Sequence, residues 1–323
     1  MTAPAEERRR GAERERAADA GPIIGRSPPI VRAVALAGRF ARTEFPILLV
    51  GATGTGKELF AQRIHDWSGC PGPFVDVNCG ALPKEMVESL LFGHRKWAFT
   101  GAGDGAEGLI AAADGGTLFL DELLSLPPEA QVKLLRVLET GEVRRLGETA
   151  KRRVRFRVVA AVQEDLDDRL ASGDFRIDLY QRVAGVVLWL PALEERRDDC
   201  WLLALHFARE RGLELSPEVR AVVERHGWPG NVRELKVAVE RAGFLSEGRS
   251  VGTRAMADAI ALGAPRRRMP RAVTDHRRDL EALLARHGGD ARAAAGELGV
   301  SRSALYRQLS EWGIDPQVRG RYR

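Results

Sequence analysis

Residues 51–57 read Gly-Ala-Thr-Gly-Thr-Gly-Lys, and no other stretch constrains this chain as strongly. An apolar run, 47–50, precedes them, and a helix-like run, 58–65, follows. Strand, glycine-rich loop and helix in that order form a phosphate-binding loop. The glycines let backbone N–H groups close around phosphate oxygens, and the helix aims the positive end of its dipole at them. Lys57 adds a mobile charge for the outer phosphates. Gly51, Ala52, Thr53, Gly54, Thr55, Gly56 and Lys57 are therefore the expected phosphate contacts. The bland alternative is a glycine-rich turn before a helix, and both flanks argue against it. One position departs from the motif: Glu58 stands where Ser or Thr usually follows the lysine. A carboxylate cannot serve magnesium as a neutral hydroxyl does, so the loop is of a particular subclass or impaired.

The 323 residues, 44% hydrophobic, leave room for two or three domains. No apolar run reaches the length of a membrane span. Residues 1–20 hold five arginines and five acids with no apolar core, which predicts a disordered tail rather than a signal peptide. Cys70, Cys79 and Cys200 lack metal spacing, so a reduced, cytoplasmic protein is expected. The six histidines are scattered and none pairs into a metal motif. The net charge is +5, but residues 265–323 carry 13 Arg against 7 Asp or Glu, a local +6, and the remainder sums to −1. A basic C-terminal end is where a nucleic-acid contact is expected, although a solvated basic tail has the same composition.

Short apolar runs alternate with helical patterns over residues 21–191. Strands are predicted at 47–50, 74–77, 117–120, 157–161 and 186–190. Such alternation predicts an α/β unit, a parallel sheet flanked by helices. From 192 to 262 helical patterns take over, as at 198–211 and 217–226, and predict a small helical subdomain. Residues 263–275 are basic and aperiodic and read as a linker. Residues 276–315 form a compact helical module, and 316–323 a tail.

Residues 115–122, Gly-Gly-Thr-Leu-Phe-Leu-Asp-Glu, are an apolar strand ending in two acids. The strand places Asp121 at the carboxyl edge of the sheet, where ligands bind in open α/β folds. Asp121 is the expected magnesium ligand, and Glu122 the group that polarises the attacking water. Phosphoryl transfer also needs positive charge where negative charge develops. Arg176 and Arg182 are candidates, although their spacing alone is equally that of two surface arginines. Arg233 lies in the first turn of a helix that the Pro229-Gly230-Asn231 turn initiates. A cation there opposes the helix dipole, and a nucleotide phosphate would offset that cost.

These residues, in this order, resemble the bacterial enhancer-binding proteins, AAA+ ATPases that activate sigma-54 RNA polymerase. The resemblance runs from Ile23 to about Ile314. In that family a Glu does follow the P-loop lysine, so Glu58 becomes a family mark. The likeness implies an AAA+ P-loop NTPase with a helical lid and a C-terminal Fis-like helix-turn-helix, using ATP and Mg2+. It implies that Ile24 belongs to the nucleotide site, and that Asn78 is coupled to the Walker B Glu122. It further implies that Arg176 and Arg182 are arginine fingers reaching a neighbour's nucleotide, and that Arg233 is a sensor II residue reading the γ-phosphate in its own subunit. The family's sigma-54 contact loop, GAFTGA, corresponds to Trp97, Ala98, Phe99, Thr100, Gly101 and Ala102.

Trp97 replaces the first glycine of that loop. If the position requires φ > 0, a tryptophan there strains or reshapes the loop; its ring could equally add apolar contact to a partner. The family's arginine pair and Phe-Glu after the loop become Gly105, Ala106, Ile110 and Ala111, and its sensor I Thr-Asn becomes Val162-Gln163. These departures bear on the coupling between hydrolysis and the loop.

At the C-terminal end, helices are predicted at about 277–287, 291–298 and 302–312. Gly299-Val300 makes the turn and Ser301 the N-cap. That is a helix-turn-helix pattern, with a generic three-helix bundle as the alternative. Ala294, Ala295 and Leu298 are expected to pack against Val300, Leu305 and Leu309. Arg302, Ser303, Tyr306, Arg307 and Gln308 would face DNA.

The resulting expectation is a hexameric ring that hydrolyses ATP between subunits, moves the Phe99–Thr100 loop and remodels a closed sigma-54 promoter complex. Dimers of the C-terminal domain would tether it to upstream DNA. About 20 residues before the ATPase cannot fold a sensory domain, so regulation is expected from a separate protein. Two rivals stand: a AAA+ DNA-binding regulator acting on sigma-70 promoters or as a repressor, which Trp97 favours, and a remodeller of a non-transcriptional protein, which the helix-turn-helix opposes.

Overall fold

A computed structural model describes residues 22–97, 105–163, 165–246 and 248–263, and farther on 283, 284, 286, 287, 291–298, 305 and 309. The chain divides into two units, Met1–Gly263 and Ala264–Arg323.

Five short strands, most of them rich in β-branched and leucine residues, form the central sheet of the first unit. In chain order they are β1 (Ile47–Val50), β2 (Phe74–Asn78), β5 (Thr117–Asp121), β8 (Arg157–Val162) and β9 (Val186–Trp189). All pair in parallel, in the order β2-β5-β8-β1-β9. Strands covered on both faces need continuous apolar runs rather than alternation, and Ile47, Leu48, Leu49 and Val50 are all buried. Helices α1 (Pro28–Ala41) and α2 (Lys57–Ser68) cover one face. The other face carries α3 (Val87–Phe92), α4 (Leu109–Ala112), α5 (Pro128–Thr140), α6 (Leu166–Ser172) and α7 (Ile177–Val183). Two short antiparallel pairs project from this side, β3 (Gly93–His94) with β4 (Ala106–Glu107) and β6 (Glu142–Val143) with β7 (Arg152–Arg153).

The helical subdomain holds α8 (Asp198–Glu210), α9 (Val219–Arg225), α10 (Asn231–Leu245) and α11 (Thr253–Gly263) around its own apolar cluster. It is not purely helical as the periodicity predicts. β10 (Glu214–Leu215) and β11 (Ser250–Val251) pair in parallel across it; two-residue strands are too short to leave a period-2 signal.

Asp199 joins this subdomain to the sheet unit. Its carboxylate is fully buried and accepts the Arg26 N–H at 2.6 Å, the Ser27 N–H at 3.1 Å and the Ser27 hydroxyl at 2.6 Å. The neighbouring strap is shared between the two cores: Ile23 packs on the sheet cluster and Ile24 on the lid cluster.

In the second unit, α12 (Ala291–Leu298) contributes Ala291, Ala294 and Ala295 to a cluster with Leu283, Leu284, Leu305 and Leu309. This is the expected packing of Ala294 and Ala295 on Leu305 and Leu309. The Leu298 side chain and Val300 lie outside the described residues. Glu297 receives both Arg286 (3.1 Å) and His287 (2.5 Å), and the His287 hydrogen bond, then the Arg286 charge, hold its carboxyl below the usual range.

Asp199→Ala removes three buried hydrogen bonds to a carboxylate, and the expected cost is about 3–5 kcal/mol. Chemical denaturation followed by far-UV circular dichroism measures it.

Candidate functional site

The phosphate loop owes its shape to the lid as well as to its own glycines. Gly54 takes φ 80° and Gly56 φ 102°, conformations that favour glycine. A Cβ on Gly54 would come within 2.3 Å of the Gly230 carbonyl oxygen, so the lid backbone presses directly on the loop. Val232 and Arg233, in the first turn of α10, donate their N–H groups to the Gly54 carbonyl at 3.0 and 3.3 Å. The first N–H groups of a helix have no partner within the helix, and here the phosphate loop supplies one. Asn231 Nδ2 donates to the Thr53 carbonyl at 2.9 Å, while its Oδ1 accepts the Leu193 N–H at 2.7 Å. Asn231 holds φ 54° in doing so. Trp228 anchors the turn: it is fully buried, and its Nε1 donates to the Val223 carbonyl at 2.8 Å.

Within the loop, Lys57 Nζ donates to the Gly51 and Ala52 carbonyls at 2.6 and 3.1 Å. The Gly51 N–H reaches the carbonyl of Val162 at 3.3 Å, so the sensor I strand and the phosphate loop are bonded through the backbone. The Val162 side chain is buried in the apolar cluster and Gln163 is exposed. Arg233 lies at this seat; its Cβ is 3.2 Å from where a Gly54 Cβ would be. The charge conflict at the helix start is met by Glu234, whose carboxylate accepts the Gly230 N–H at 2.7 Å.

Asn78 and Asp121 are register partners on β2 and β5. The Cys79 N–H bonds the Asp121 carbonyl at 2.9 Å, and Asp121 Oδ1 accepts the Glu122 N–H at 2.9 Å. Glu122 adopts φ 50°, ψ 43°. This left-handed bend costs a non-glycine residue roughly 1–2 kcal/mol. Its carboxylate lies over Gly80, where a Cβ would stand 2.0 Å from Oε2 and 3.4 Å from Asn78 Oδ1. Gly80 therefore makes room for Glu122 beside Asn78, and no sequence signal singled it out. Cys79, between them, is no thiolate: burial, then the Asp121 and Glu122 charges, pushes its thiol up to about 12.

No group of three His, Cys, Asp or Glu able to hold a metal ion occurs among the described residues. A magnesium held by one carboxylate together with phosphate oxygens and water needs no such group, and Asp121 at the strand end fits that pattern.

Arg176 and Arg182 are exposed at either end of α7 and have different anchors. Arg176 makes a bidentate pair with Asp178 at 3.0 and 2.6 Å, which raises its pKa. Arg182 donates through Nε and Nη2 to the Leu138 carbonyl, at the end of α5, at 3.0 and 2.6 Å. Gln131 fixes this segment. It is 1% exposed on the apolar face of α5, donates to the Leu126 and Asp174 carbonyls at 2.9 and 3.0 Å, and accepts the Arg176 N–H at 3.0 Å. A polar residue at a core position of a helix was the available signal.

Trp97 takes φ 64° and is 76% exposed, with Lys96 Nζ 5.7 Å from its ring centroid. The substituted glycine position is thus one that demands positive φ. Ala98, Phe99, Thr100, Gly101 and Ala102 lie outside the described residues, as do Arg302, Ser303, Tyr306, Arg307 and Gln308 of the C-terminal unit. The base of the loop is described: β3 and β4 pair, and Leu146 bridges to β3, donating its N–H to Gly93 O (2.9 Å) and accepting the Arg95 N–H at its carbonyl (3.0 Å). Arg152 also pairs with Glu107. Ile110 and Ala111 are buried in the core.

The sigma-54 interaction domain matches residues 23–188, the AAA+ ATPase lid domain 194–272, and the bacterial regulatory protein Fis family 277–312. The chain belongs to the sigma-54-dependent transcriptional activator family. It is 44% identical over 309 residues to the C4-dicarboxylate transport transcriptional regulatory protein DctD of Rhizobium meliloti (strain 1021), covering 93% of this chain and 66% of that protein. It is 39% identical over 308 residues to the transcriptional regulatory protein GlrR of Escherichia coli (strain K12), covering 91% and 68%. This sigma-54 activator chain thus spans about two thirds of the length of those relatives. Among solved structures, NtrX from Brucella abortus in complex with ATP aligns with TM-score 0.66 and 32% identity over 91% of this chain and 70% of that one. A mutant of RuvB from Thermotoga maritima, at 16% identity and TM-score 0.53 over 90% and 88%, shares the fold. No described helix is long and apolar enough to cross a membrane.

Gln131→Leu keeps the volume of the core but frees the Arg176 segment. With Arg176 in the expected arginine-finger role, ATP affinity should stay within about twofold of wild type and ATP turnover should fall by up to about 10²-fold, the effect of a misplaced group. Nucleotide titration beside steady-state phosphate release measures both.

Proposed function

We propose that this chain hydrolyses ATP and uses the work to activate sigma-54 RNA polymerase while tethered to DNA. The observation that carries the reading is the convergence of the lid-held phosphate loop with the Asn78, Gly80, Asp121 and Glu122 cluster at one sheet edge. The Gly54 and Gly56 region and Lys57 hold the β- and γ-phosphates, with Ile24 and Arg233 completing the site from the strap and lid. Asp121 would hold Mg2+, which when bound would neutralise charge developing on the phosphates. Glu122 takes a proton from water for the attack, a role worth about 10²–10⁴-fold. ATP and ADP accompany NtrX in solved structures, and that likeness supports the nucleotide assignment.

The remaining charge comes from a second subunit in this proposal. Arg176 and Arg182 are exposed and held by Asp178 and by a backbone carbonyl, so they are presented on the surface of their own chain. An arginine donated across a subunit boundary contributes about 10³–10⁵-fold. A site completed by a neighbour is a head-to-tail contact, which closes into a ring; a hexamer is the expected size. Hydrolysis is relayed from Glu122 and Asn78 to the loop that follows Trp97, which remodels the closed complex. The helix-turn-helix holds upstream DNA as a dimer.

Trp97 supports a second reading, a DNA-binding AAA+ regulator that acts on sigma-70 promoters or as a repressor. Its positive φ costs roughly 1–2 kcal/mol that glycine would not bear. Open-complex formation with sigma-54 polymerase, on duplex and pre-melted promoters with ATP, separates the two. The first reading predicts ATP-dependent opening, retained or increased in Trp97→Gly. Normal ATPase with no opening on either template, before and after that substitution, favours the second.

A further inference from the structure

Arg196 ends the one-turn 3-10 helix Leu193–Arg196 that leads from the sheet into the lid. It is 3% exposed. Its Nη2 donates to the Thr55 carbonyl at 3.3 Å, and its Nε has no hydrogen-bond partner. Burial lowers its pKa, opposed by the nearby Asp199 charge. Arginine nevertheless stays charged in proteins. A buried cation with an unmatched N–H is unfavourable for packing alone, since an apolar side chain of the same length would avoid the desolvation.

Its contact completes a pattern. Three consecutive phosphate-loop carbonyls accept hydrogen bonds from the lid: Thr53 from Asn231, Gly54 from Val232 and Arg233, and Thr55 from Arg196. No described peptide bond is cis. In a trans peptide the C=O and N–H point in opposite directions. Holding these carbonyls toward the lid therefore turns the amides of Gly54, Thr55 and Gly56 away from it; the Thr55 N–H meets the Ala52 carbonyl at 3.4 Å, so the Gly54 and Gly56 amides are the ones an anion would meet. Amides turned together to one side are what a phosphate-binding nest requires. Asn231 and the α10 N-terminus fix the first two peptides, and Arg196 reaches the third.

We propose that Arg196 is a positioning residue for phosphate binding, holding the Thr55–Gly56 peptide from the lid side with its N–H directed at the nucleotide. This rests on the ATP reading of the same site and adds a route between nucleotide and lid besides Arg233. A phosphate bound to the amide polarises the peptide and strengthens its carbonyl as acceptor for the guanidinium. By reciprocity, a lid displaced from Thr55 weakens phosphate binding by the same factor that phosphate binding draws the lid in.

The test uses the full chain as wild type, Arg196→Met and Arg196→Lys. Calorimetric titration with ATP and with ADP is paired with thermal unfolding of the nucleotide-free protein. Among the described residues Arg196 makes no ion pair and its Nε–H is unmatched, so an apolar side chain strands no partner charge and removes a desolvation cost; Arg196→Met should hold its unfolding midpoint to within about 2–4 °C, the shift that 1 kcal/mol gives in a domain of this size. It should lose about tenfold in affinity for both nucleotides, the effect of one hydrogen bond from a charged group. Arg196→Lys retains charge and reach and should recover part of the loss; it also carries the test if the methionine variant does not fold. A folded variant with wild-type affinity overturns the proposal. So does a parallel fall of midpoint and affinity in both variants, which marks a structural role. If the wild type itself binds no ATP, the nucleotide assignment falls instead, independently of Arg196.

Discussion

The phosphate loop of this protein is oriented from outside itself. The Gly54 carbonyl accepts the first two free N–H groups of α10, and Asn231 and Arg196 hold the carbonyls on either side. A glycine-rich loop alone has many conformations, because glycine loses the most freedom on ordering. Here the lid removes that freedom. In return the loop caps a helix whose N-cap residue, Gly230, has no side chain to do so. Each part is incomplete without the other, so the position of the lid and the readiness of the loop are one variable.

Backbone strain marks the same places. Among the described residues four non-glycines have positive φ: Trp97, Glu122, Trp228 and Asn231. Such residues persist where surrounding structure over-determines them. Trp228 and Asn231 form the turn that sets the lid on the loop, and Glu122 is aimed over Gly80 by its bend. Trp97 differs, being largely exposed and carrying its strain at the base of a loop. The β3–β4 pair and the bridge from Leu146 to β3 form the footing of that loop. Arg152 and Glu107 add an exposed ion pair, which is worth little by itself.

Much of the fold was legible because its signals are local. The five predicted strands coincide with the five observed to within one residue at each end, since the central strands β1, β5 and β8 are buried apolar runs and the edge strands β2 and β9 keep enough apolar residues to be read. α12 was readable from its alanine stripe and flanking glycines. The candidate site was legible only in its motif residues. Gly80, Gln131, Arg196 and the bonding role of Asn231 depend on segments distant in the chain meeting in space, and sequence spacing carries no such information. Trp97 is the opposite case: the departure from glycine raised the question of a positive φ, because glycine at a loop position often answers a backbone requirement, and the structure answers it with φ 64°.

One chain, on this account, builds only part of a hydrolytic site. Phosphate loop, Asp121 and Glu122 lie at one sheet edge, while Arg176 and Arg182 are turned out on α7. Mixing two variants, Glu122→Gln and the Arg176→Ala/Arg182→Ala double variant, measures this most directly. Each should be nearly inactive alone. Mixed in equal amounts they should regain ATP hydrolysis, because the first lends its arginines to the intact Glu122 of the second. Activity no higher than the average of the separate variants, with both shown to assemble together, would contradict the account.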